Sequence, residues 1–359
     1  MTIFRRYRRG AAVAGVAAVA LTVAAVAFGA SAADRGARHM TLACYAGGIQ
    51  TTMEKDILPG FEKKYNVSIS YLPGISSASI AKVQAEKSHP QIDAVCLDDG
   101  PAAKARGFGL LQPFNPKLVP NMSQLYPFAK LPGKVGAGWG VLGIGIVYAP
   151  DKLKKAGIKP PTSWNDLANP ALKGHVVVDT IASVYGIALL DMLAYANGGS
   201  ENNIGPGFTA MKKVRPNLIT FDTTADMSPY FEQGGAWEAV WTDAESSAFV
   251  DRSHFNMKFV YPKEGSPVDM TTIDVVKGAP NADLANELAN YLMSKQAQYL
   301  VSTKLGLGPA NKTVVLPKAL RSKMPYGPVA VKKLRQMNWK VINAHLPAWT
   351  DRWNREIEH

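Results

Sequence analysis

Three short apolar segments in the first part of the chain have the hydrophobic patterns of β-strands. They are residues 40–45, residues 67–72, in which apolar and polar positions alternate, and residues 92–97. The intervening segment 57–65 repeats its apolar residues with the period of a helix, and the hydroxyl-rich residues 76–79 are typical of the N-terminus of a second helix, which we predict to run to about residue 87. Strand, helix, strand, helix and strand in this order predict a parallel α/β unit.

The remainder of the chain continues this alternation of strand and helix patterns. We predict further strands at 142–148, 174–179, 218–221, 239–241, 258–261 and 268–276. We predict further helices at 183–196, 282–293 and 331–341. The predicted fold class is therefore α/β, with mainly parallel sheets flanked by helices.

Polar residues and glycines follow the first three predicted strands. They occupy residues 45–48, 74–77 and 98–100, directly after the apolar segments. In an open parallel sheet, ligands bind beyond the carboxyl ends of the strands. We therefore expect part of a binding site in these three turns.

The first 32 residues have the order of charge and hydrophobicity that is typical of a signal peptide. Four arginines within residues 5–9 precede an uncharged apolar run at 11–28, and small residues follow at 30–32. We predict that residues 1–32 are removed on export and that the protein works in the periplasm. The alternative is a retained leader that anchors the protein, since a run of this length could span a bilayer.

Size and charge narrow the class of protein further. Without the leader, about 325 residues remain, more than one hydrophobic core usually holds, so we expect two lobes. The formal net charge falls from +12 to +8 with the loss of the four leader arginines. The basic residues do not cluster with aromatics along a predicted face, so we expect no nucleic-acid binding.

Cysteine and histidine usage argues against metal chemistry. The chain has two cysteines and six histidines, and no histidine is paired with a glutamate at the zincin spacing. Two cysteines are also too few for a zinc cluster. We predict neither a metal nor a cofactor.

Short motifs spread over nearly the whole chain together resemble one protein family. They are ILPGFEKKY at 57–65, WG at 139–140, PTSWNDL at 161–167 followed by LKG at 172–174, YPKEG at 261–265, and GLGPAN at 306–311. They resemble the extracellular solute-binding proteins of ABC importers, in the group that takes polyamines, ferric ion and related small solutes. Within this group, the motifs are most similar in sequence to those of the polyamine receptors.

The resemblance implies the two-lobed fold of type II periplasmic binding proteins, which close over one ligand. It implies that lobe one comprises 40–145 and 272–318, and that lobe two comprises 146–271 and 319–359. The protein would bind a small polar solute, amine-bearing or zwitterionic, and deliver it unchanged to an ABC permease in the cytoplasmic membrane. We also expect a monomer.

The predicted ligand-binding residues lie at strand ends, at helix starts and in the return strand. They are Tyr45, Gly47, Gly48, Ser76, Ser77, Asp98, Asp99, Trp139, Thr180, Ser183, Tyr185, Trp241, Asp243, Asp269 and Thr271. Each has a structural alternative. The glycines could form tight turns, the hydroxyl and acidic residues could cap helices, and the tryptophans could pack beneath the hinge.

Aromatic, acidic and hydroxyl side chains suggest different parts of a ligand. Trp241 ends a predicted strand and Asp243 follows it, so an aromatic face and a carboxylate come together for an ammonium group. Tyr45 offers an aromatic wall and a hydroxyl. Ser76 and Ser77, at a predicted helix N-terminus, favour an acid group of the ligand.

The chain also departs from the family at several of these positions. Polyamine receptors carry acidic residues near the places of Thr180, Ser183 and Thr271, and an aromatic residue near Asp269. A buried dication needs compensating carboxylates, so we expect a zwitterion or an anion, with any ammonium directed toward Asp243 or Asp269. Adjacent tyrosines, which ferric receptors use, do not occur in the sequence.

Cys44 and Cys96 lie near the ends of the first and third predicted strands, which are neighbours in such a sheet. An exported pair can oxidise, but disulfides between adjacent strands are often strained, so we expect two buried thiols. The alternative function is an exported, thiaminase-like enzyme on the same fold. It would use Cys44 as nucleophile, or an acid such as Asp243.

Overall fold

The central element of the protein is a mixed β-sheet of eleven strands. The computed structural model describes residues 38–224 and 226–358, and the predicted leader lies outside the described residues. The strands are β1 (Arg38–Tyr45), β2 (Val67–Gly74), β3 (Ala94–Asp98), β4 (Leu111–Gln112), β5 (Ala137–Tyr148), β6 (Val176–Asp179), β7 (Leu218–Asp222), β8 (Glu238–Thr242), β9 (Lys258–Val260), β10 (Ser266–Val276) and β11 (Leu334–Arg335).

Helices flank the sheet and connect most of its strands. They are α1 (Gly48–Thr52), α2 (Leu58–Tyr65), α3 (Ser76–Ala85), α4 (Asp99–Gly107), α5 (Pro150–Lys155), α6 (Val184–Ala196), α7 (Gly205–Val214), α8 (Ser228–Glu232), α9 (Asp243–Ser253), α10 (Ala282–Leu292), α11 (Lys295–Leu305), α12 (Gly327–Val331) and α13 (Trp339–Trp353). Over the described residues, none of these helices combines the length and the apolar character that a membrane span requires.

Two long strands, β5 and β10, occupy the middle of the sheet and run antiparallel to each other. On one side, β10 pairs with β3, and β1 and β2 continue the sheet in parallel. On the other side, β5 pairs with β8, and β6 and β7 follow in parallel. The sheet thus consists of two parallel groups joined by two crossing strands.

Each parallel group has its own hydrophobic core. A first cluster draws its buried side chains from 40–141 and 268–310. A second cluster draws them from 144–257 and 337–357, and includes the C-terminal tryptophans. The predicted lobe boundaries fall close to the limits of these clusters, and the boundaries themselves stay a prediction.

Most predicted elements are present with ends shifted by a few residues, but the helix predicted at 331–341 is wrong. In its place β11 pairs with β10, and α13 begins only at Trp339. Asn338 caps α13, because its side chain accepts a hydrogen bond from the Val341 N–H at 3.3 Å. Asparagine is a strong N-cap, so the helix starts after this residue.

Candidate ligand-binding site

The carboxyl ends of β1 and β3 meet the middle of β10 at one place. Tyr45 ends β1 and Asp98 ends β3. Asp98 lies opposite Thr271 of β10, and Asp269 is two residues from Thr271 on the same face of that strand. Tyr45 is therefore close to both carboxylates: burial, and then the charges of Asp98 and Asp269, raise the pKa of its phenol well above the usual value.

Hydrogen bonds hold Tyr45, Ser76 and Asp98 in one arrangement. The Tyr45 hydroxyl donates to Asp98 Oδ1 at 2.8 Å, and the Ser76 hydroxyl donates to Asp98 Oδ2 at 2.8 Å. The Ser76 oxygen also accepts from the Asp98 N–H at 3.0 Å. Tyr71 in turn donates to the Tyr45 carbonyl oxygen at 2.6 Å. The strand end, the helix start and the carboxylate are thus fixed relative to one another.

Four acidic residues, Asp98, Asp99, Asp269 and Glu245, form a group that we refer to as the cleft carboxylates. Burial, and then the charges of the other three, raise the pKa of Asp269 well above its usual value. Burial also raises the pKa of Asp99 to about 7, with the Asp98 charge acting in the same direction and the Arg106 charge opposing it. In the absence of a bound cation, Asp99 and Asp269 therefore keep their protons to a higher pH than an exposed aspartic acid does.

Two of the cleft carboxylates have oxygens without a protein partner. Asp99 is 2% exposed and Asp269 is 7% exposed. Both oxygens of Asp99 and Oδ1 of Asp269 lack a hydrogen-bond partner among the described residues, although the Trp339 indole and the Gly100 N–H are close enough to lower the pKa of Asp99. Buried polar atoms in folded proteins nearly always have a partner, so these oxygens are suited to accept hydrogen bonds from a bound molecule.

Glu245 approaches from the other half of the sheet, at the start of α9. The hydroxyls of Tyr185 and Thr242 donate to Glu245 Oε2 at 2.7 and 2.6 Å. Burial raises the pKa of Glu245, and the hydrogen bonds from Thr242, Tyr185 and the Trp241 indole oppose that rise. The pKa of the Tyr185 phenol is raised well above its usual value, first by burial, then by the charge of Glu245, and then by the charge of Asp269. The two halves therefore meet at Tyr185 and Asp269.

Asp179, at the end of β6, adds a further buried carboxylate beside Glu245. The Ser183 hydroxyl donates to its Oδ2, while Oδ1 has no partner among the described residues. Burial raises the pKa of Asp179 to about 7, and the charges of Asp222 and Glu245 contribute to the rise. Ser183 caps α6, and the Thr180 oxygen accepts from a turn N–H at 3.1 Å, so both predicted hydroxyls have structural partners.

Asp243 has protein donors on both of its oxygens. Its Oδ1 accepts from the N–H groups of Gly143 and Ala244 at 3.1 and 2.8 Å. Its Oδ2 accepts from the Tyr261 hydroxyl. Burial raises the pKa of Asp243 to about 7, and the Tyr261 hydrogen bond opposes the rise. This geometry favours a structural role, and the predicted contact between Asp243 and an ammonium group stays a prediction.

The two tryptophans predicted for the cleft have different positions. Trp139 is fully buried in the first cluster, and its indole N–H donates to the Thr272 carbonyl oxygen at 3.1 Å. This geometry favours a role in the core for Trp139, and its predicted place in the cleft stays a prediction. Trp241 is 2% exposed and packs 6.1 Å from Phe249 in the second cluster. Trp241 is connected to the site through the hydrogen bond from its indole to Glu245.

Several other predicted residues form turns and sheet contacts. Gly47 caps α1 with a φ of 72°, a left-handed conformation that favours glycine. Gly48 and Ser77 are exposed at the starts of α1 and α3. Thr271 is buried, and its hydroxyl donates to the Gly140 carbonyl oxygen at 3.3 Å. Thr271 pairs with Asp98 through the strand ladder alone, since its hydroxyl is bonded to Gly140, and Gly47, Gly48 and Ser77 form no hydrogen bond with the cleft carboxylates over the described residues.

A cavity of about 560 Å³ lies beside the Ser76–Asp98 pair, between elements of both clusters. Among its lining residues are Ser76, Ser77, Asp98, Ala182, Val184 and Trp339. α13 closes one side of it, because the Asn343 side chain donates to the Gly100 carbonyl oxygen at 3.2 Å. The volume falls in the range of small-molecule sites.

Cys44 and Cys96 form a disulfide, so the prediction of two free thiols is wrong. The two residues continue the parallel register of β1 and β3, and their Cα atoms are 4.6 Å apart. This spacing lies within the ordinary range for a disulfide. Because both sulfurs are used, Cys44 has no thiol to act as the nucleophile of the enzyme alternative.

Glu245 and Asp179 are not among the ligand-binding residues predicted from the sequence. A signal for Glu245 is present, since Thr242 and Glu245 have the spacing of a capping box before α9. That signal indicates a helix start, and by itself would assign Glu245 to capping. Asp179 is the last residue of a predicted strand, and in the sequence alone it is not distinguished from the hydroxyl residues Thr180 and Ser183 that follow it.

Residues 58–325 match the family of bacterial extracellular solute-binding proteins. The chain belongs to this family. Together with the fold, this membership confirms the prediction of the solute-binding component of an ABC importer with an α/β periplasmic-binding-protein fold.

Named relatives fall into two groups. A putative 2-aminoethylphosphonate-binding periplasmic protein from Salmonella typhimurium is 24% identical over 83% of this chain and 86% of that protein. The spermidine/putrescine-binding periplasmic protein of Escherichia coli is 28% identical over 43% of this chain and 44% of that protein. Both names describe periplasmic binding proteins, and they give no support to the enzyme alternative.

Solved structures share the fold over almost their entire length. An ABC transporter protein from Clostridium perfringens superimposes with a TM-score of 0.80 at 25% identity, covering 89% of this chain and 99% of that one. A spermidine/putrescine substrate-binding protein from Streptococcus pneumoniae gives a TM-score of 0.72 at 17% identity, covering 88% and 99%. The second likeness concerns the fold alone.

Proposed function

We propose that this protein captures a small organic cation with at least one protonated amine and delivers it, chemically unchanged, to an ABC permease. The observation that carries the proposal is Asp269. Its carboxylate is buried beside three other acidic residues, and Oδ1 has no hydrogen-bond partner among the described residues. An ammonium group would supply both the missing donor and the missing positive charge.

The charge of the site favours an amine over an acid group. Acidic side chains come from both halves of the sheet: Asp98, Asp99 and Asp269 from one side and from the crossing strand, Glu245 and Asp179 from the other. A phosphonate or carboxylate placed among them would be repelled. A cation lying between them would draw the two halves together, because each half contributes attraction only in the closed arrangement.

The donors that were expected to bind an acid group are less suited to it. The Ser76 hydroxyl already donates to Asp98, and Ser77 is exposed at the start of α3. The sequence alone suggests a zwitterion or an anion. With these donors occupied or exposed, we expect instead a solute without net negative charge. Of the two groups of named relatives, the polyamine receptors fit this chemistry better.

Three further points belong to the same proposal. The protein works as a monomer in the periplasm after removal of residues 1–32, it binds no nucleic acid, and it has no enzymatic activity toward its ligand. The periplasmic relatives support the location. Their names, which state the binding of a small solute, support a role in binding.

Isothermal titration calorimetry with four probes tests the ligand class. We expect putrescine and spermidine to bind with one site per chain, 2-aminoethylphosphonate to bind more weakly, and succinate not to bind. Ligand at about 100 times its Kd should add about 2.7 kcal/mol to the free energy of unfolding. Strongest binding by succinate or 2-aminoethylphosphonate would contradict the proposed cation.

Recovery of the ligand tests the transport role against the enzyme alternative. After prolonged incubation with the protein and denaturation of the complex, the proton NMR spectrum of putrescine should be unchanged, in a yield equal to the amount bound. Any new resonance that grows with time would overturn the assignment to a binding protein.

A further inference from the structure

We propose that the Cys44–Cys96 disulfide is a positioning element of the ligand site, which fixes the Tyr45–Asp98 hydrogen bond and hence the direction of the Asp98 carboxylate. The inference rests on the proposed function, because its readout is the binding of an amine. The two cysteines themselves are buried beneath the site, each 1% exposed.

The hydrogen-bonded pairing between β1 and β3 ends before the site begins. Its register covers Leu42 with Ala94 and Ala43 with Val95, and goes no further. Tyr45 and Asp98 lie beyond the last of these pairs. In the interval between the ladder and the site, the two strands are joined by the bond between Cys44 and Cys96.

The other neighbours of these strands do not bridge that interval. At its end, β1 pairs with β2 through Tyr45 and Gly74. β3 pairs at its end with β10, where Asp98 lies opposite Thr271. Each strand is thus anchored to a different partner, on the side away from the other. Hydrogen bonds from Tyr45 and Ser76 to Asp98 also span the gap, so without the disulfide these non-covalent contacts alone would hold the ends of β1 and β3 together.

The disulfide stands directly before the two site residues. Tyr45 is next to Cys44 in sequence, and Asp98 follows Cys96 by two positions, so Asp98 and Cys96 point to the same face of β3. Both cysteines are 1% exposed, which shields the bond from solvent thiols. The disulfide therefore restrains the distance between the strand ends that carry Tyr45 and Asp98, and with it the 2.8 Å hydrogen bond from the Tyr45 hydroxyl to Asp98 Oδ1.

The variant Cys44→Ala/Cys96→Ala tests this role, with putrescine as the probe. We expect its Kd to rise about tenfold, which corresponds to about 1.4 kcal/mol. A loss of stability alone would not show positioning, since removal of a disulfide commonly lowers the free energy of unfolding. The decisive measurement is therefore a double-mutant cycle with Tyr45→Phe.

If the disulfide acts through the Tyr45–Asp98 bond, the two changes are not additive. Loss of the disulfide should then raise the Kd about tenfold in the wild-type background and less than threefold when Tyr45→Phe is already present. Equal factors in both backgrounds would overturn the proposal, and so would an unchanged Kd in the cysteine variant.

Two control variants distinguish a loss of positioning from a general loss of stability or of core volume. Val67→Ala removes buried apolar volume at the opposite end of β2 and should lower stability without raising the Kd. If the alanine pair does not fold, Cys44→Val/Cys96→Ala keeps more of the core volume and undergoes the same cycle. Failure of wild-type protein to bind putrescine would refute the proposed function, whereas wild-type binding with an additive cycle would refute this inference alone.

Discussion

Asp243 and Asp269 are both buried carboxylates near the centre of the sheet, but the protein surrounds them differently. Asp243 accepts hydrogen bonds from Gly143, Ala244 and Tyr261. Asp269 has an oxygen without a partner among the described residues and has other carboxylates as neighbours. The first region is complete without a ligand, and the second is not.

This difference distinguishes acidic residues with a structural role from acidic residues that are candidates for ligand binding. A position at a strand end or a helix start is common to Asp98, Asp243 and other acidic residues of this chain. What distinguishes a candidate ligand contact is an unmet hydrogen-bonding capacity, together with charges that the protein does not balance. Four substitutions or conditions test whether this distinction holds.

The largest effect is expected for Asp269→Asn. The change keeps the size of the side chain and removes its charge, so an ammonium group loses its nearest unpartnered acceptor. Truncating one partner of a buried charge pair commonly costs 2–5 kcal/mol, so the Kd for putrescine should rise by about 30-fold or more in calorimetry. Stability of the ligand-free protein should not fall, because repulsion among the carboxylates is relieved. An unchanged Kd would remove Asp269 from the site.

The next effect is a pH dependence of binding. Burial raises the pKa of Asp99 to about 7 and that of Asp269 well above its usual value, so protons compete with the ligand. Affinity for putrescine should therefore increase about tenfold from pH 5.5 to pH 8, with proton release on binding. Calorimetry in buffers of different ionisation enthalpy measures that release. The dependence should flatten in Asp269→Asn, and affinity that falls with rising pH would contradict the scheme.

The same shifts give the opposite sign for the stability of the ligand-free protein. A carboxylate with a raised pKa in the folded state, such as Asp99 or Asp179 at about 7, stabilises the fold when protonated. This contribution is present below the unfolded pKa of about 4 and is lost as the pH rises through about 7. Chemical denaturation should show that added putrescine offsets the loss.

A smaller effect is expected for Tyr185→Phe. Its hydroxyl donates to Glu245 and so lowers the pKa of that carboxylate. Loss of one hydrogen bond to a charged group is worth about 1.5–3 kcal/mol at most, and Thr242 still donates to the same oxygen. The Kd for putrescine should rise about threefold to tenfold, more at pH 6 than at pH 8. The same loss of affinity at both values would show that the hydroxyl acts by direct contact.

The smallest effect on affinity is expected for Asp243→Asn. An amide cannot accept from all three donors without also presenting its own N–H groups to them, so the free energy of unfolding should fall by about 1–3 kcal/mol. The Kd should stay within about twofold of wild type, which calorimetry can resolve. If it rose as much as for Asp269→Asn, the comparison between the two carboxylates would fail.

The sequence allowed the strand ends to be located, and with them part of the site. Tyr45, Ser76 and Asp98 were expected because carboxyl ends of neighbouring parallel strands converge, and they are hydrogen-bonded to one another. The periodicity that defines a strand is local, so it is visible in one sequence. Asp269 was expected from the return strand, although its unpartnered oxygen was not.

What could not be predicted depends on lateral alignment and on side-chain direction. Trp139 lies in β5, which is buried almost throughout, so the pattern gives no indication of which face reaches the cleft. Glu245 lies in α9, a helix that was not predicted because its apolar residues do not recur with a clear helical period. The Cys44–Cys96 bond depends on the register between β1 and β3, and a hydrophobic pattern does not reveal the register of strands that are buried on both faces.

The position of β10 has a consequence for the synthesis of the protein. Its residues, Ser266–Val276, are made after nine of the eleven strands, yet they fill the middle of the sheet between β3 and β5. A nascent chain that stops short of them exposes two unpaired backbone edges, which are templates for aggregation. More than two thirds of the polypeptide must therefore leave the ribosome before the sheet can become continuous.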